Sequence, residues 1–549
     1  MKLRSLLALL AVLLLPLSAL GDTFGSRGAT INLAALGLPT GGDDTAAINN
    51  ALTKANNSGS LVYAPCGTYK HAGVITITSV RLYGDGNCTV FQSTDTTSPN
   101  PQLGIVLTGT NPGLDHVATT TTWAGARQTD LNGAAVLVSG ATGFNVDHVN
   151  VTGAADVGIF VSASSKGTVG PGNVVSSTLA DGIHITDVSS DIQVFGNQVF
   201  SPGDDCISVV SYIADGDKSR RFSITSNECT SGATRGITVV GGEIGNVANN
   251  VLNNIAYAAL YAAAESTEYD VNNITFANNV VNVAGSPSGT VYPAIQVYGR
   301  SGYLASDINF ISNTLNNLTF TCFQVGTGSN YATRISFTGN HCTENTADTT
   351  GYGAYVWGAS DVTIAQNYFT NFGAQGILGG GGNSGALKVD NNHLVNINTS
   401  GGGNDDGISF YNSGFVRPII TNNTQVNGAS TIRYLILLGT QETNPFLENN
   451  TGDNATAVLN SGNPSVTSCG SSPSIDLQGT WQKFTLTVGT GTVTSCTITF
   501  SPAFTGYDHI TVTPHSTIGS FAYSYNKSTL TITGSSLTSA VIDVRADGY

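Results

Sequence analysis

A short asparagine phrase recurs through the middle of the chain and constrains the fold more than any other feature. Its ten asparagines, spaced 23 to 34 residues apart, are Asn197, Asn227, Asn250, Asn279, Asn313, Asn340, Asn367, Asn392, Asn423 and Asn450. Strand-like segments such as "RISFTGN" precede the phrase, and others such as "GITVVGG" follow it. Short strands at this period predict a right-handed parallel β-helix whose coils stack ~4.8 Å apart, with asparagine amides bonded along the stack. A β-sandwich with Asn-rich loops does not explain ten returns of one phrase.

Composition agrees with an all-β fold and narrows the partners. The chain has 66 glycines and one methionine, and only 10% of its residues are charged, which argues against a helical protein. Its 20 basic and 35 acidic residues give a net charge of −15. Because no Lys/Arg cluster is dense enough to follow a phosphate backbone, we expect no nucleic-acid partner.

The eight cysteines test the coil repeat independently. They form four local pairs with separations of 22, 23, 20 and 27 residues, namely Cys66 with Cys88, Cys206 with Cys229, Cys322 with Cys342, and Cys469 with Cys496. Each separation is about one coil, so each pair can meet across neighbouring coils as a disulfide. Metal binding is the alternative, but no Cys-x-x-Cys motif or histidine cluster accompanies these cysteines.

The N-terminal segment is typical of an exported protein. Lys2 and Arg4 precede the apolar run "LLALLAVLLLPLSAL", which is too short for a good membrane span. We interpret residues 1–21 as a secretory signal peptide, with the mature chain beginning near Asp22. The sequence thus predicts a secreted, extracellular or periplasmic protein that has no membrane segment after cleavage.

Three segments follow the signal peptide. We expect an N-terminal cap over about residues 22–60 of a β-helix that extends to residue 462, and a small β-sandwich over 463–549, where strongly alternating stretches such as "KFTLTV" replace the repeat. In the cap, Asp43 or Asp44 can start a helix. The predicted apolar stripe of that helix is Ala47, Ile48, Ala51 and Leu52. The sandwich can serve homo-oligomerisation such as trimerisation, carbohydrate binding or capping.

Two adjacent aspartates in "SPGDDCISV" provide the strongest chemical signal. Aligning the strands of successive coils places Asp181, Asp205 and Arg235 in one row, with Asp204 beside Asp205. The outward row, one position beyond the first apolar residue of each strand, comprises His184, Ser208, Thr238, Tyr261 and Gln296. This row predicts a polar and aromatic groove suited to a polymer. Carboxylates one coil apart repel, so at least one pKa should rise, which provides the acid–base pair that glycosidic cleavage needs.

Two stretches resemble known proteins. "GLPTGGDDTAAINNALTKANNSGSLVYAPCGTYK" resembles the opening of the pectate-lyase-like superfamily, a likeness that extends over roughly residues 25–460, and implies that the N-terminal helix plugs the β-helix. "DGIHI", "GDDCISV" and "RGITV" resemble the polygalacturonase-type glycoside hydrolases of family 28. By that resemblance Asp204 is the general acid, Asp181 and Asp205 activate water, the anomeric centre is inverted, and Cys206 bonds to Cys229.

The departures from that family concern the substrate. Arg235 replaces the family histidine, and Tyr261, Ala262 and Ala263 replace the Arg-Ile-Lys that grips a galacturonate carboxylate, so galacturonan is not the expected substrate. The candidate substrate-binding residues are His184, Arg235, Tyr261, Glu265, Tyr298 and Arg300. A second doublet, Asp405–Asp406, shows that paired aspartates also recur far from this motif.

Two other function classes remain open at this stage. A polysaccharide lyase would use the carboxylates to hold Ca²⁺ and Arg235 to remove a proton, whereas a hydrolase needs no cofactor or metal. A non-catalytic glycan-binding or adhesin protein would keep the groove without using the aspartates. All three readings predict a polysaccharide or oligosaccharide partner.

Overall fold

A computed structural model of the chain describes residues 29–549. Within this range it does not describe residues 99, 288–290, 330, 346–349, 402–405, 411–412, 428–431, 440–444, 453–454, 457–458, 461–463, 481–482, 501–506, 516–517 and 549. The predicted signal peptide and the cleavage site near Asp22 lie outside the described residues.

One parallel sheet of fifteen strands runs the length of the solenoid and positions the site described below. Its strands are Ile75–Thr78, Ile105–Thr110, Val136–Thr142, Ile159–Ser162, Ile183–Thr186, Ile207–Val210, Ile237–Val240, Leu260–Ala263, Ile295–Tyr298, Phe323–Val325, Ala354–Val356, Ile377–Gly379, Ile408–Phe410, Ile436–Leu438 and Leu459–Asn460. Each strand pairs with the corresponding strand of the next coil, which confirms the predicted right-handed parallel β-helix.

Two further parallel ladders close each coil. The first comprises Ile31–Asn32, Val62–Ala64, Arg81–Gly84, Gly113–Thr121, Asn145–Ala154, Thr168–Val169, Ser190–Phe195, Arg220–Thr225, Glu243–Ala248, Val271–Ala277, Ala305–Ile311, Ala332–Thr338, Ala359–Ala365, Ser384–Asp390, Ile419–Thr421 and Phe446–Glu448. The second comprises Gly67–His71, Thr89–Ser93, Val174–Thr178, Gln198–Phe200, Glu228–Thr230, Val251–Asn253, Val280–Asn282, Thr314–Leu318, His341–Glu344, Tyr368–Thr370, His393–Val395, Thr424–Val426 and Thr451–Gly452. A short pair, Ile432–Tyr434 with Ala455–Thr456, lies beside them.

Alternation within these strands builds one continuous apolar core. In the strand Ile207–Val210, for example, Ile207 and Val209 are fully buried and stack on Ile237 and Val239 of the next coil. Phenylalanines extend the same stacking further along, as between Phe276 and Phe310, whose ring centroids lie 4.7 Å apart. Stacking equivalent residues buries every coil against its neighbours, because no single coil can bury its own apolar face.

The predicted asparagine ladder forms between these two further ladders of strands. Each amide Nδ2 donates to Oδ1 of the asparagine one coil on at 2.9–3.1 Å, from Asn173 through to Asn450. Asn173 is an eleventh member that the sequence pattern did not include. The same amides also bond backbone groups; Asn279 donates to the carbonyl of Val247 and accepts from the backbone N–H of Asn250.

Replacing one ladder asparagine should destabilise the solenoid. In Asn279→Ala, the buried donors of Asn250 lose their acceptor and the carbonyl of Val247 loses its donor, at ~1–3 kcal/mol for each buried group left unpaired. We expect a clearly lower urea midpoint by circular dichroism. Asn50→Ala, an exposed substitution on the helix, is the control and should leave the midpoint almost unchanged. Equal midpoints for the two variants would contradict this role of the ladder.

The N-terminal helix Thr45–Ser58 packs on the first coil. The carboxylate of Asp43 accepts the backbone N–H of Thr45 at 3.0 Å, while the side chain of Asp44 bonds Thr40 instead. The buried face of the helix consists of Ile48, Ala51, Leu52 and Ala55, so the prediction that Ala47 belongs to the stripe was wrong and Ala47 is exposed. Ala55, one turn after Ala51, is the fourth buried residue of the helix.

The helix also covers the first edge of the fifteen-stranded sheet. The amide of Asn49 donates to the carbonyl of Val74 and accepts the N–H of Thr76, each at 2.8 Å. These bonds satisfy backbone groups that an uncovered edge would leave open to strand pairing. Two short 3-10 helices lie in connections over the sheet, Leu131–Gly133 and Ile213–Asp215, and a third, Leu33–Leu36, precedes the helix.

Disulfides join all four predicted cysteine pairs. Cys66 is bonded to Cys88, Cys206 to Cys229, Cys322 to Cys342, and Cys469 to Cys496. The first three pairs link neighbouring coils of the solenoid, whereas Cys469 and Cys496 belong to the C-terminal sheets described below, so the expectation that this last pair also spans one coil was wrong. The described part of the chain has no free cysteine.

Among the described residues no helix is both long and apolar enough to cross a membrane.

Antiparallel sheets replace the solenoid at the C-terminus. The last parallel strand ends at Asn460 and the first antiparallel strand begins at Ser465, close to the predicted boundary at residue 462. One four-stranded sheet contains Ser465–Thr467, Ser495–Thr499, Phe521–Tyr525 and Thr529–Gly534; the other contains Ser474–Thr480, Lys483–Thr487, Tyr507–Pro514 and Val541–Gly548. Their inward residues, such as Ile498 and Leu486, form a separate apolar core, as in a sandwich.

Candidate active site

Successive strands of the fifteen-stranded sheet bring the predicted row of side chains into line. His184, Ser208, Thr238, Tyr261 and Gln296 are paired in register on five neighbouring coils. All five are nearly buried, with 0–8% of their surface exposed. The row is therefore not the open groove that the sequence predicted, because aromatic side chains pack over it.

Aromatic side chains of the strands and of the connections between them close much of the row. Phe160 stacks on His184 with ring centroids 4.9 Å apart. Tyr212, Tyr292 and Tyr298 pack against the cluster that contains Tyr261. Periodicity alone predicts which strand positions face outward, but it carries no information on how far the connecting segments reach over them.

Asp181 lies at the centre of a dense hydrogen-bond network. One carboxylate oxygen contacts His184 Nδ1 and accepts from Ser208 Oγ, both at 2.6 Å, and the other accepts the backbone N–H of Asp205 at 3.0 Å. Ser208 and Asp181 both contact the same ring nitrogen of His184. This is not the arrangement of a catalytic serine triad, in which the serine and the carboxylate occupy opposite nitrogens.

Asp205 is held by the next coil. Its Oδ1 accepts from Arg235 Nε at 2.9 Å and from Thr234 Oγ1 at 2.7 Å. The guanidinium of Arg235 also reaches Glu265 at 2.7 Å and lies 4.5 Å from the centre of the Tyr261 ring. Arg235 therefore neutralises a buried carboxylate, where the resembled family carries a histidine.

Asp204 is the most accessible member of the three, with 27% of its side chain exposed. It accepts from Thr234 Oγ1 at 2.7 Å and from Arg127 Nη1 at 2.7 Å. Arg127 belongs to the connection before the 3-10 helix Leu131–Gly133, and sequence reasoning missed it. No repeat position marks it, since it lies in a segment outside the coil pattern.

A fourth carboxylate, Asp156, completes the group and was also missed. It lies three residues before the strand Ile159–Ser162, just as Asp204 lies three residues before Ile207–Val210. Arg127 Nε is 3.7 Å from its Oδ1. The stretch "ADVGIF" aligns with "GDDCIS" without a gap, and this was the signal available in the sequence.

Burial and neighbouring charges separate the pKa values of these carboxyl groups. Burial raises the pKa of Asp181, but hydrogen bonds from His184, Ser208 and the Asp205 backbone outweigh it and leave the pKa lowered. Burial raises the pKa of Asp205; Arg235 opposes this shift, and the charges of Asp181 and Asp204 reinforce it. The expected rise of at least one pKa in the cluster is thus found at Asp205.

The remaining candidate substrate-binding residues occupy different places. Glu265 contacts Arg235 and the hydroxyl of Tyr261, which in turn lies 2.7 Å from the hydroxyl of Tyr298. Arg300 does not join this group. Its guanidinium donates to the backbone carbonyls of Glu265 and Glu268 and stacks on Tyr303 at 3.9 Å, so it braces the connection that carries Glu265.

The second doublet lies far from this group. Asp406 precedes the strand Ile408–Phe410, seven strands further along the fifteen-stranded sheet, at about 34 Å if each spacing is ~4.8 Å. Its neighbour Asp405 lies outside the described residues.

Oxygens of Asp181, Asp204 and Asp205 come within 4.8 Å of one another, which is close enough to share one cation. Arg127 and Arg235, however, already place guanidinium groups on Asp204 and Asp205. A divalent cation would have to displace or repel these groups, so the donor set fits two arginine counterions better than Ca²⁺.

Comparisons with known proteins agree with this fold. A family model described as "Rhamnogalacturonase A/epimerase, pectate lyase-like" matches residues 39–232, which include the three aspartates of the predicted cluster. The comparison with curated proteins gives no match.

Among solved structures, the Agl-KA catalytic domain is similar with a TM-score of 0.51 and 17% identity, over 63% of this chain and 65% of that one. The alignment thus spans a little under two thirds of that structure. A thermostable GH87 α-1,3-glucanase catalytic unit from Streptomyces thermodiastaticus aligns with a TM-score of 0.42 and 15% identity, over 80% and 70% of the chains. The Dettilon tailspike protein aligns with a TM-score of 0.43 and 14% identity, over 92% of each chain.

At these identities the structural likeness concerns the fold. The family model adds a match in sequence over the coils that carry Asp156, Asp181, Asp204 and Asp205. Together they confirm the predicted likeness: the chain is a divergent right-handed β-helix similar to the pectate-lyase-like proteins.

Proposed function

We propose that this protein is a glycoside hydrolase that cleaves a polysaccharide bound across the fifteen-stranded sheet. The observation that carries the proposal is the carboxylate group at the sheet surface, in which accessible Asp204 lies beside buried Asp181 and Asp205. Three carboxylates at one place repel one another, which costs stability. In a chain with few charged residues, such a group therefore points to a function. Acid–base cleavage of a glycosidic bond is the chemistry that such a group can perform.

In this proposal Asp204 is the general acid. It is the most accessible of the three carboxylates, and a sugar on the sheet would take over its contact with Arg127. Asp181 and Asp205 fix the position and charge of Asp204 through the shared Thr234 and the backbone N–H of Asp205. The reaction inverts the anomeric centre.

The lyase reading is less well supported. It needs Arg235 as a base, but burial, which lowers the pKa of Arg235, is outweighed by Asp205, Tyr261 and Glu265, which hold it well above its usual range. A guanidinium that keeps its proton does not abstract another. A purely adhesive protein would have no need for a carboxylate group whose pKa values are driven apart.

Export suits this activity. Four disulfides in one chain are typical of an oxidising compartment, in keeping with the predicted secretion. We propose a polysaccharide as the partner and no metal or other cofactor. For the C-terminal sheets we propose the same three alternatives as before, namely homo-oligomerisation, carbohydrate binding or capping.

The substrate is the first matter to test. Tyr261, Ala262 and Ala263 provide none of the cations that would make charge-assisted bonds to a uronate, each worth ~1.5–3 kcal/mol. We expect poor or absent turnover of unesterified polygalacturonate and clear release of reducing ends from a neutral glycan in a polysaccharide panel.

NMR of the first products then tests the mechanism. The hydrolase should give the anomer opposite to that of the cleaved bond. A 4,5-unsaturated end absorbing in the ultraviolet would identify a lyase instead, and brisk release of galacturonate oligomers would overturn the substrate prediction. An inactive protein across the whole panel would contradict the proposed hydrolase.

A further inference from the structure

Asp156 and Asp204 occupy one row of the solenoid with a single small residue between them. The backbone N–H of Ala180 donates to the carbonyl of Asp156 at 3.0 Å, and the N–H of Asp204 donates to the carbonyl of Ala180 at 3.2 Å. The backbones of Asp156 and Asp204 are thus two coils apart, or about 9.6 Å from two spacings of ~4.8 Å. Ala180 offers only a methyl group in the coil between the two carboxylates.

One guanidinium group links the two carboxylates. Arg127 Nε lies 3.7 Å from Oδ1 of Asp156, and its Nη1 lies 2.7 Å from Oδ2 of Asp204. Inverting glycosidases hold their two carboxyl groups ~6.5–9.5 Å apart so that a water molecule fits between base and sugar. A sugar that replaces the guanidinium group of Arg127 would therefore lie between the two carboxylates.

Hydrogen bonding separates Asp156 from Asp181 as well. A general base needs a lone pair within reach of the water that it activates. The oxygens of Asp181 already accept three hydrogen bonds. Asp205 accepts from Thr234 and Arg235 through Oδ1 and is paired with the charge of Arg235. Within the described part of the chain, the only partner of the Asp156 carboxylate is Arg127, at 3.7 Å.

Asp156 is 6% exposed, but its ion-pair partner Arg127 is far more accessible. Arg127 belongs to an exposed connection and has 47% of its side chain in solvent. Asp181, by contrast, lies under His184, which is fixed on a strand and stacked on Phe160. A sugar that takes over the contacts of Arg127 would reach Asp156 and Asp204 together.

We propose that Asp156 is the general base of the reaction, with Asp204 as the acid across the scissile bond; this assignment rests on the hydrolase function proposed above. Asp156 takes one proton from water as the water oxygen bonds to the anomeric carbon. The glycosidic carbon–oxygen bond breaks, and its oxygen takes the proton of Asp204. The products are a hemiacetal of inverted configuration and a free hydroxyl group, and exchange with solvent restores both carboxyl groups.

The charges around Asp156 set the pH at which it can act. Burial raises its pKa to about 6; Arg127 and His184 oppose the rise, whereas Asp181 and Asp130 add to it. A base works in its ionised form, so kcat/KM of the wild type should fall as the pH drops through about 6. The same limb should be missing from any residual activity of Asp156→Asn.

The test compares two variants on two substrates. On the glycan identified by the panel, Asp156→Asn and Asp204→Asn should each lose ~10²–10⁴-fold in turnover. On the matching 2,4-dinitrophenyl glycoside, whose leaving group needs no proton, Asp204→Asn should recover most of its activity while Asp156→Asn should not. Azide, a small anionic nucleophile, should restore turnover to Asp156→Asn and give a glycosyl azide of inverted configuration.

Asp147→Asn is the matched control, since Asp147 is a half-buried carboxylate nine residues earlier and outside the site, and should keep full activity. Asp156→Asn should melt at or above the wild-type temperature at pH 7.5, because its carboxylate makes no hydrogen bond within the described residues that the change would break. Full activity of Asp156→Asn, or recovery on the activated glycoside like that of Asp204→Asn, would overturn the assignment while leaving the hydrolase intact. A retained anomer, or a wild type that cleaves no glycan, would overturn it as well.

Discussion

Asp204→Asn is expected to lower kcat on the polymeric substrate by ~10²–10⁴-fold. The amide keeps the shape of the carboxyl group, and its one carbonyl oxygen can still accept from either Arg127 or Thr234, which contact different oxygens of Asp204. It has no acidic proton for the leaving oxygen. KM should change much less than kcat. Initial rates of reducing-end release measure both, and the melting temperature should stay near that of the wild type.

Asp406→Asn provides the control for the doublet. Asp406 is buried like Asp205 and precedes an equivalent strand, but it lies seven strands away. Its replacement should leave activity near wild type, whatever it does to stability. Equal losses in Asp204→Asn and Asp406→Asn would mean that doublets matter for folding alone, and full activity in Asp204→Asn would remove it from the chemistry.

Arg235→Ala should have the largest effect on stability. It removes the cation from Asp205, which is 2% exposed, and breaking a buried ion pair in this way costs ~3–5 kcal/mol. The size of the loss should depend on pH. Without Arg235 the pKa of Asp205, which is already raised, rises further. A carboxyl group whose pKa is raised by folding costs no stability below its unfolded-state pKa. The cost grows as the pH rises from the unfolded-state pKa to the folded-state pKa.

The destabilisation should therefore be larger at pH 7.5 than at pH 4.5, where Asp205 takes up a proton at less cost. Calorimetry at the two pH values checks the difference. Arg334→Ala is the matched control, since Arg334 pairs with Asp307 at 2.6 Å with both side chains largely exposed, and such pairs contribute ~0–1 kcal/mol. A pH-independent loss in Arg235→Ala would contradict the role given to Asp205.

The coil register could be predicted from sequence because it rests on repetition. Asparagines at a steady period and cysteines one coil apart fix which strand residues stack, and His184, Ser208 and Thr238 indeed pair as aligned. The row of Asp181 and Asp205 follows from the same register. Such positions depend on contacts between equivalent residues of neighbouring coils, which the repeat itself encodes.

The connections between strands were beyond that reasoning. Arg127 reaches Asp204 from 77 residues away, and no periodicity marks its segment. Asp156 was missed because it lies in the row of Asp204, one position before the row in which Asp181 and Asp205 were aligned. Arg300 was expected near the substrate on the strength of its charge, but it bonds to backbone carbonyls of the Glu265 connection. Charge alone does not say which neighbour a long side chain will reach.

The asparagine ladder also has a direction along the chain. Each new asparagine brings one oxygen that accepts both the side-chain amide and the backbone N–H of the asparagine before it, as Asn313 does for Asn279. A partly assembled solenoid therefore ends in two unpaired N–H donors at this position, and addition of the next coil satisfies both. Elongation toward the C-terminus is favoured at every step by the same pair of bonds, and the aligned amides polarise one another along the axis.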